Sequence, residues 1–132
     1  MAKFEEAWAN TSKNEGGYVN NSKDRGKETY RGISIVFNPN WEGWLIVHKT
    51  IKDLGITNTL DCPKIIRDRI DKALTQVQDL DGMVQNLYKK NYWDPLNLNE
   101  EISQLIADKI FDIGVNMGVG QARKIYESAK NV

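Results

Sequence analysis

The residue best placed for acid catalysis in this sequence is Glu15. A helical pattern runs from the N-terminus into Glu15, and the glycines at positions 16 and 17 follow at once. The residues that share the apolar face of this predicted helix are Phe4, Ala7, Trp8 and Thr11. Glycine ends helices because it adopts a positive φ without a Cβ clash, so Glu15 is expected in the last turn. The partial negative charge at a helix C-terminus disfavours a carboxylate anion and raises its pKa, as a general acid near neutral pH requires.

A second acid and a hydroxyl follow in a predicted β-hairpin. Residues 18–20 and 29–31 are the candidate strands, and residues 21–27 between them are rich in turn-forming side chains. Folding back at this turn brings Asp24 and Thr29 towards the end of the first helix. The pattern therefore predicts one acid at a helix end, facing a second acid and a threonine across a small gap.

Three segments, in order along the chain, resemble a single family. The first covers residues 15–20, then Asp24, Gly26 and residues 29–34, and begins Glu-Gly-Gly-Tyr-Val-Asn. The second, within 87–95, reads Tyr-x-x-x-Tyr-Trp-Asp-Pro, and the third, 111–118, reads Phe-Asp-x-x-Val-Asn-x-Gly. Together they are similar to the signature of the glycoside hydrolase family 108 N-acetylmuramidases. These are lysozyme-like phage endolysins, also described as secretion activator proteins.

The resemblance implies that Glu15 is the catalytic acid and that neither a metal nor an organic cofactor is needed. The order Glu15, Asp24, Thr29 also resembles the catalytic triad of phage lysozymes, with one residue less between the Asp and the Thr. In the turn, many relatives carry two adjacent glycines after the Asp, whereas this chain has Arg25-Gly26-Lys27. Asp24 is expected either to stabilise the oxocarbenium-like centre or to position water with Thr29. A short distance between the two carboxyl groups implies the first role, and a wider gap implies water attack and inversion.

Five residues of the matching segments are candidate substrate-binding residues: Tyr18, Tyr30, Trp93, Asp94 and Asn116. Aromatic faces stack on sugar rings and carboxylates bind sugar hydroxyls, so Trp93 and Asp94 are placed together for a sugar. The alternative is that Trp93 packs in the core while Asp94 caps a turn. Asn116 continues the i, i+4 row of Asp108 and Asp112, and such a row is costly to bury unless it is paired. It predicts a hydrogen-bond network at the cleft, a clamp at a helix end, or contacts that only fix the neighbouring backbone.

Composition restricts the classes of function. The chain has 18 basic and 18 acidic residues, and this zero net charge argues against a nucleic-acid-binding protein. Cys62 is the only cysteine, which excludes an intrachain disulfide, and with His48 as the only histidine no metal cluster of the usual spacing can be built. A catalytic Cys62–His48 pair is the less favoured alternative to a packed thiol.

No apolar run approaches the ~20 residues of a membrane span, so membrane insertion is not expected. The first six residues carry early acids and no apolar segment, so a signal peptide is not predicted. We expect synthesis in the bacterial cytoplasm, with release to the cell wall through a holin or a secretion system. The expected partners are the glycan strands of peptidoglycan, and the protein is expected to be a monomer.

The rest of the pattern is mainly helical. An apolar stripe from Trp44 to Leu54 ends at Gly55, and Asp61 is the predicted N-cap of a helix that reaches about residue 75. A further helix from about residue 79 is expected to end by residue 93, because a proline at position 95 disfavours helix before it. Asn99 is the predicted N-cap of a long apolar helix, the best candidate for a central helix, and a short last helix follows.

These elements predict a mostly helical α+β protein with a lysozyme-like fold, in which a small β-hairpin lies beside a helical bundle around a central helix. The chain of 132 residues is expected to form one domain. Residues 1–95 would form the catalytic part, with the hairpin at about 16–35. Residues 96–132 would form C-terminal helices that resemble the start of the family's peptidoglycan-binding region.

The activity implied by the resemblance is that of a muramidase, which cleaves the β-1,4 bond between N-acetylmuramic acid and N-acetylglucosamine. One alternative is a lytic transglycosylase, which also needs an acidic Glu but no second carboxylate. The other is a non-catalytic module that binds or regulates at the cell wall and keeps the cleft without turnover.

Overall fold

The computed structural model describes residues 1–14 and 16–130. Within them the helices are α1 (Phe4–Thr11), α2 (Gly43–Asp53), α3 (Lys64–Thr75), α4 (Leu80–Tyr88), α5 (Gln104–Met117) and α6 (Val119–Lys130), and the strands are β1 (Tyr18–Asn20), β2 (Glu28–Tyr30) and β3 (Ile33–Ser34). The predicted α+β, mostly helical, lysozyme-like fold with a small antiparallel sheet is confirmed. None of these helices is both long enough and apolar enough to cross a membrane.

Packing divides the chain into two compact units. The terminal unit comprises Met1–Asn14 and Gln85–Val132, and the central unit is Glu15–Val84. Helix α4 begins in the central unit and ends in the terminal unit. The expectation of a single domain stays a prediction.

Helix α1 has the apolar face that the sequence predicts. Its buried residues are Phe4, Ala7, Trp8 and Thr11. The α-helix ends at Thr11 and is followed by a 3₁₀ turn over Ser12–Asn14, so the expectation of continuous α-helix up to Glu15 is wrong for residues 12–14. Serine and asparagine have low helix propensity, and a tighter last turn commonly finishes an α-helix. Glu15 itself lies outside the described residues.

Helix α5 is the central helix of the terminal unit, since α1 and α6 both pack against it. It begins after the N-cap Ser103, whose hydroxyl accepts a hydrogen bond from the N–H of Ile106 at 3.3 Å. The prediction of Asn99 as the N-cap is wrong, because the Asn99 side chain instead accepts the indole N–H of Trp93 at 2.7 Å. The buried residues of α5 are Ala107, Ile110, Phe111 and Gly114.

A wide helical turn follows α4 in the terminal unit. Residues Lys89–Trp93 form a π-helical turn, in which the N–H of Asp94 donates to the carbonyl of Lys89. A 3₁₀ turn over Asp94–Leu96 follows, which confirms that the α-helix ends before Pro95. The Trp93 ring packs edge-on against the ring of Phe4 at 5.7 Å and that of Phe111 at 5.9 Å.

The sheet of the central unit has three strands in the order β1-β2-β3, all antiparallel. The predicted hairpin is confirmed, with Tyr18 opposite Tyr30 and Val19 opposite Thr29, but Arg31 is not part of its second strand. Arg31 and Gly32 have φ values of 48° and 81°, which form the tight turn that leads into β3. The third strand is only two residues long, which is too short to show the alternation of apolar and polar residues that indicates a strand in a sequence.

The helices of the central unit follow the predicted ranges, with one corrected cap. Helix α2 ends where expected, before Gly55 at φ 79°. Helix α3 starts after Pro63, which is its N-cap, so the prediction of Asp61 in that role is wrong. The Asp61 carboxylate instead accepts hydrogen bonds from the N–H of Ser22 at 3.0 Å and its hydroxyl at 2.8 Å. Asp61 therefore stabilises the hairpin turn. A local sequence pattern does not indicate this contact, because Ser22 and Asp61 are too far apart along the chain.

Candidate functional site

Glu15, the predicted catalytic acid, lies outside the described residues, but the chain immediately after it is held firmly. The N–H of Tyr18 donates to a carboxylate oxygen of Asp71 at 2.7 Å. The carbonyl of Gly17 accepts the N–H of Arg31 at 3.1 Å. These two bonds fix the backbone of the Glu-Gly-Gly-Tyr segment from its third residue onward.

The second glycine of this segment is required by a close approach. A Cβ atom at Gly17 would lie 2.3 Å from Oδ2 of Asp71 and would displace that carboxylate, whereas a Cβ at Gly16 would meet nothing within 4 Å. Asp71 carries no signal in the local sequence pattern, because its partner Tyr18 lies 53 residues earlier in the chain.

Asp24 lies in a closed turn of the hairpin. Its Oδ1 accepts the N–H of Gly26 at 3.1 Å, and its backbone carbonyl accepts the N–H of Lys27 at 3.1 Å. Gly26 is buried, and its carbonyl accepts the hydroxyl of Ser34 at 3.0 Å. The Arg25-Gly26-Lys27 turn thus forms a defined structure that leaves the Asp24 side chain exposed.

Thr29 occupies the middle of β2, half-buried, between Val19 of β1 and Ser34 of β3. The structure places Asp24 and Thr29 on the same hairpin, but no hydrogen bond joins their side chains among the described residues. Because Glu15 lies outside these residues, the grouping of the three as a catalytic set stays a prediction.

The two predicted substrate-binding tyrosines are buried in the central unit. Tyr18 and Tyr30 are 1% and 4% exposed. Burial, followed by the hydrogen bond to Glu28, raises the pKa of Tyr18. Burial also raises the pKa of Tyr30, with the nearby Arg31 acting in the opposite direction. Both phenols therefore stay protonated at neutral pH, and both rings serve packing in this structure.

The other three predicted substrate-binding residues belong to the terminal unit. Trp93 is fully buried, which favours the packing alternative for its ring. Asp94 is exposed and forms an ion pair with Lys89 at 3.0 Å. Asn116 is exposed and donates to the carbonyl of Asp112, one turn earlier, at 2.8 Å. Asp94 and Asn116 are therefore accessible to a ligand, whereas Trp93 is not.

The acidic row on α5 forms a clamp to α1. The Asp108 carboxylate accepts a hydrogen bond from the Asn10 amide at 3.0 Å, and Asp112 accepts one from the Thr11 hydroxyl at 3.2 Å. Asp108 and Asp112 are thus paired in a clamp between helices, whereas Asn116 contacts only the neighbouring backbone of its own helix. Thr11 is buried, so its hydroxyl needs such a partner.

Residues suited to metal binding are scattered. Across residues 1–14 and 16–130, no three His, Cys, Asp or Glu side chains are grouped as a metal site requires. Cys62 is half-buried, and His48 contacts Glu28 and the ring of Trp44.

Comparison with known proteins gives one family match. The model of the family described as Glycosyl hydrolase 108 matches residues 8–118 of the 132-residue chain. No curated protein and no solved structure matches the chain. The matched range contains all three sequence segments, from the Glu-Gly-Gly-Tyr segment to the end of α5. The chain therefore belongs to the glycosyl hydrolase 108 family and is a glycoside hydrolase.

Proposed function

We propose that this glycoside hydrolase is a peptidoglycan hydrolase, and specifically a muramidase that cleaves the β-1,4 bond between N-acetylmuramic acid and N-acetylglucosamine. The observation that carries the proposal is the anchored segment behind Glu15. Asp71 and Arg31 bond to Tyr18 and Gly17, so the acid is followed by backbone that hydrogen bonds hold in place. Acid catalysis depends on such positioning, because a displaced proton donor loses its alignment with the leaving oxygen.

In the proposed reaction Glu15 protonates the glycosidic oxygen of the leaving sugar. Positive charge then develops at the anomeric carbon, and the exposed carboxylate of Asp24 stabilises it or, together with Thr29, positions the attacking water. Asp24 keeps one oxygen in its turn bond to Gly26, which orients the carboxylate on the hairpin. Asp94 and Asn116 are the accessible candidates for contacts with sugar hydroxyls.

The test is lysis of purified peptidoglycan by the Glu15→Gln variant. Glutamine keeps the shape of the side chain but supplies no acidic proton, so turnover should fall by at least about 100-fold. Glu6→Gln is the matched control, because Glu6 is an exposed acid in the first turn of α1 and should be dispensable.

Two results would contradict the proposal. Near wild-type lysis by Glu15→Gln would remove Glu15 from the catalytic role. Products that end in anhydro sugars would show a transglycosylase in place of a hydrolase.

A further inference from the structure

A cavity lies on the opposite face of strand β2 from Thr29. Side chains alternate between the two faces of a strand, so Glu28 and Thr29 point in opposite directions. The cavity has a volume of about 370 Å³ and is lined by Glu28, by α2, by residues 55–57 and by Thr59. No step of the proposed reaction uses it.

The one acid in this cavity is already occupied by the protein itself. One Glu28 oxygen accepts the phenolic proton of Tyr18, and the other lies 2.9 Å from Nε2 of His48. The Tyr18 oxygen contacts the hydroxyl of Thr59 at 2.9 Å, and that hydroxyl accepts the Asn20 amide at 3.0 Å. Glu28 therefore orients His48 and is poorly available to a cation from outside.

The polar groups that remain for a ligand are donors. The His48 side chain is 47% exposed and forms an ion pair with Glu28 when the imidazole is protonated. Lys52 lies one turn later on the same row of α2, and Thr57 adds a hydroxyl. Lys52 has no carboxylate partner in the described part of the chain. The lining thus offers the Lys52 ammonium and the Thr57 hydroxyl to an anion, beside a half-exposed imidazole.

The rest of the lining suits a small organic ligand. Ile51 and Ile56 provide apolar surface beside the donors. The volume falls within the range of roughly 300–1,000 Å³ that is typical of small-molecule sites. Inorganic anions lack carbon atoms for such a surface, whereas a peptide carboxylate has them.

We propose that this cavity binds a carboxylate of a short peptide, with Lys52 and the Thr57 hydroxyl holding the carboxylate beside His48 and the two isoleucines packing against its aliphatic carbons. The inference rests on the proposed function, because the glycan strands of peptidoglycan carry short peptides with free carboxylates. The cavity then holds a peptide of the wall polymer, on a face of the sheet separate from Thr29.

The experiment uses His48 as its reporter. It is the only histidine of the chain, so its imidazole signals in an NMR spectrum are unambiguous. The 132-residue chain carrying Glu15→Gln is titrated with the peptide L-Ala-γ-D-Glu-L-Lys, and then with the same peptide after amidation of its carboxylates. The free peptide should shift the His48 signals saturably, and the amidated peptide should bind at least about tenfold more weakly, since it loses the charged hydrogen bonds.

Two lysines of α2 provide a matched pair of variants. Lys52→Gln should lower the affinity for the peptide by about tenfold, as expected for the loss of one charged contact. Lys49→Gln should leave the affinity unchanged, because Lys49 is exposed, pairs with Asp53 at 2.8 Å and does not line the cavity. Equal affinity of the two variants, equal binding of the amidated peptide, or no shift of the His48 signals would overturn the proposal.

Lysis of peptidoglycan by the wild-type protein is measured separately. Lysis without peptide binding at His48 would overturn this inference alone and leave the muramidase proposal intact. Peptide binding without lysis would support the carboxylate site and overturn the muramidase proposal.

Discussion

The carboxylate of Asp71 accepts the backbone N–H of Tyr18 at 2.7 Å and lies directly against Gly17. One residue of α3 thereby sets the path of the chain that follows the predicted catalytic acid. A buried or half-buried N–H needs a partner, and the carboxylate also occupies the space where a side chain at position 17 would lie. This relationship leads to two predictions about stability.

We predict that Asp71→Ala destabilises the protein by about 1–3 kcal/mol, because it leaves the Tyr18 N–H without its acceptor. Asp71→Asn should cost less, since the amide oxygen can still accept. The free energies of unfolding can be compared by urea denaturation. Asp68→Ala is the control on the same helix, because Asp68 is exposed and pairs with Lys64. A loss as large in Asp68→Ala would show that the effect belongs to α3 in general.

Gly17→Ala should also destabilise, because the new methyl group must displace the Asp71 carboxylate from its bond to Tyr18. The expected cost is about 1–3 kcal/mol, whereas Gly16→Ala should be close to neutral, since its methyl group meets nothing within 4 Å. A double-mutant cycle sharpens the test. In the Asp71→Ala background Gly17→Ala should cost little, and simple additivity of the two losses would count against the direct contact.

A substitution at Asp24 can separate the effect of its negative charge on catalysis from its role in the structure of the turn. Asp24→Asn keeps an oxygen that can accept the Gly26 N–H, but it removes the negative charge. If that charge acts on the transition state, turnover should fall while the affinity for the wall polymer changes little. Thr29→Ala should likewise lower turnover more than affinity. Full activity of Asp24→Asn would show that only the turn geometry matters.

The contact between Tyr126 and Glu101 makes stability depend on pH at both ends. The phenol donates to the carboxylate, and this bond lowers the pKa of Glu101 below its ordinary value of 4.5. Burial, with the same bond, raises the pKa of Tyr126 from 10.0 to about 12. The carboxylate contributes stability that is present above pH 4.5 and is lost as the pH falls below it. The phenol contributes stability that is present below pH 10 and is lost as the pH rises towards 12.

Tyr126→Phe removes the phenol and the hydrogen bond that is the largest cause of the lowered pKa of Glu101, while the N–H of Ser103 still donates to that carboxylate. We expect it to lower the free energy of unfolding by roughly 1 kcal/mol at pH 7, with a smaller difference from wild type at pH 3. Thermal unfolding across this range provides the measurement. Glu100→Gln is the control, because Glu100 is a neighbouring exposed acid. This variant should lose stability at acidic pH in the same way as the wild-type protein. An equal effect of Tyr126→Phe at both pH values would argue against the linkage.

Local patterns predicted most of the helices, because each carries an apolar face at helical spacing. The four buried residues of α1 and the end of α2 at Gly55 are examples. The caps were predicted less well. Asn99 and Asp61 are both good N-cap residues in isolation, yet each bonds a partner elsewhere, Trp93 and Ser22 respectively. Competition between a local cap and a tertiary partner is decided by the fold, which the local pattern does not contain.

In the candidate site, too, some features follow from the local sequence and others are decided by the fold. The acid, the hairpin and the turn around Asp24 were all visible as residue types in the right order. The role of Asp71 was not visible, because Asp71 lies more than fifty residues from Tyr18 along the chain. The pairing of Thr11 with Asp112 joins residues that are likewise far apart in the sequence. Tyr18 was assigned to substrate on the strength of its motif, and only the structure shows its hydroxyl facing Glu28 in the interior.

The wide turn over Lys89–Trp93 has a consequence for the phase of the helix that contains it. In a regular α-helix, residues five apart point about 140° away from each other, so Tyr88 and Trp93 could not share a face. Here both are buried, with Tyr88 against Trp8 at 4.9 Å and Trp93 against Phe4 at 5.7 Å. The wider turn brings both rings against α1 while the chain stays helical. Deletion of a single residue from this turn would leave the two aromatic residues four positions apart, about 40° from each other in a regular α-helix, so the shortened helix should keep both rings against α1.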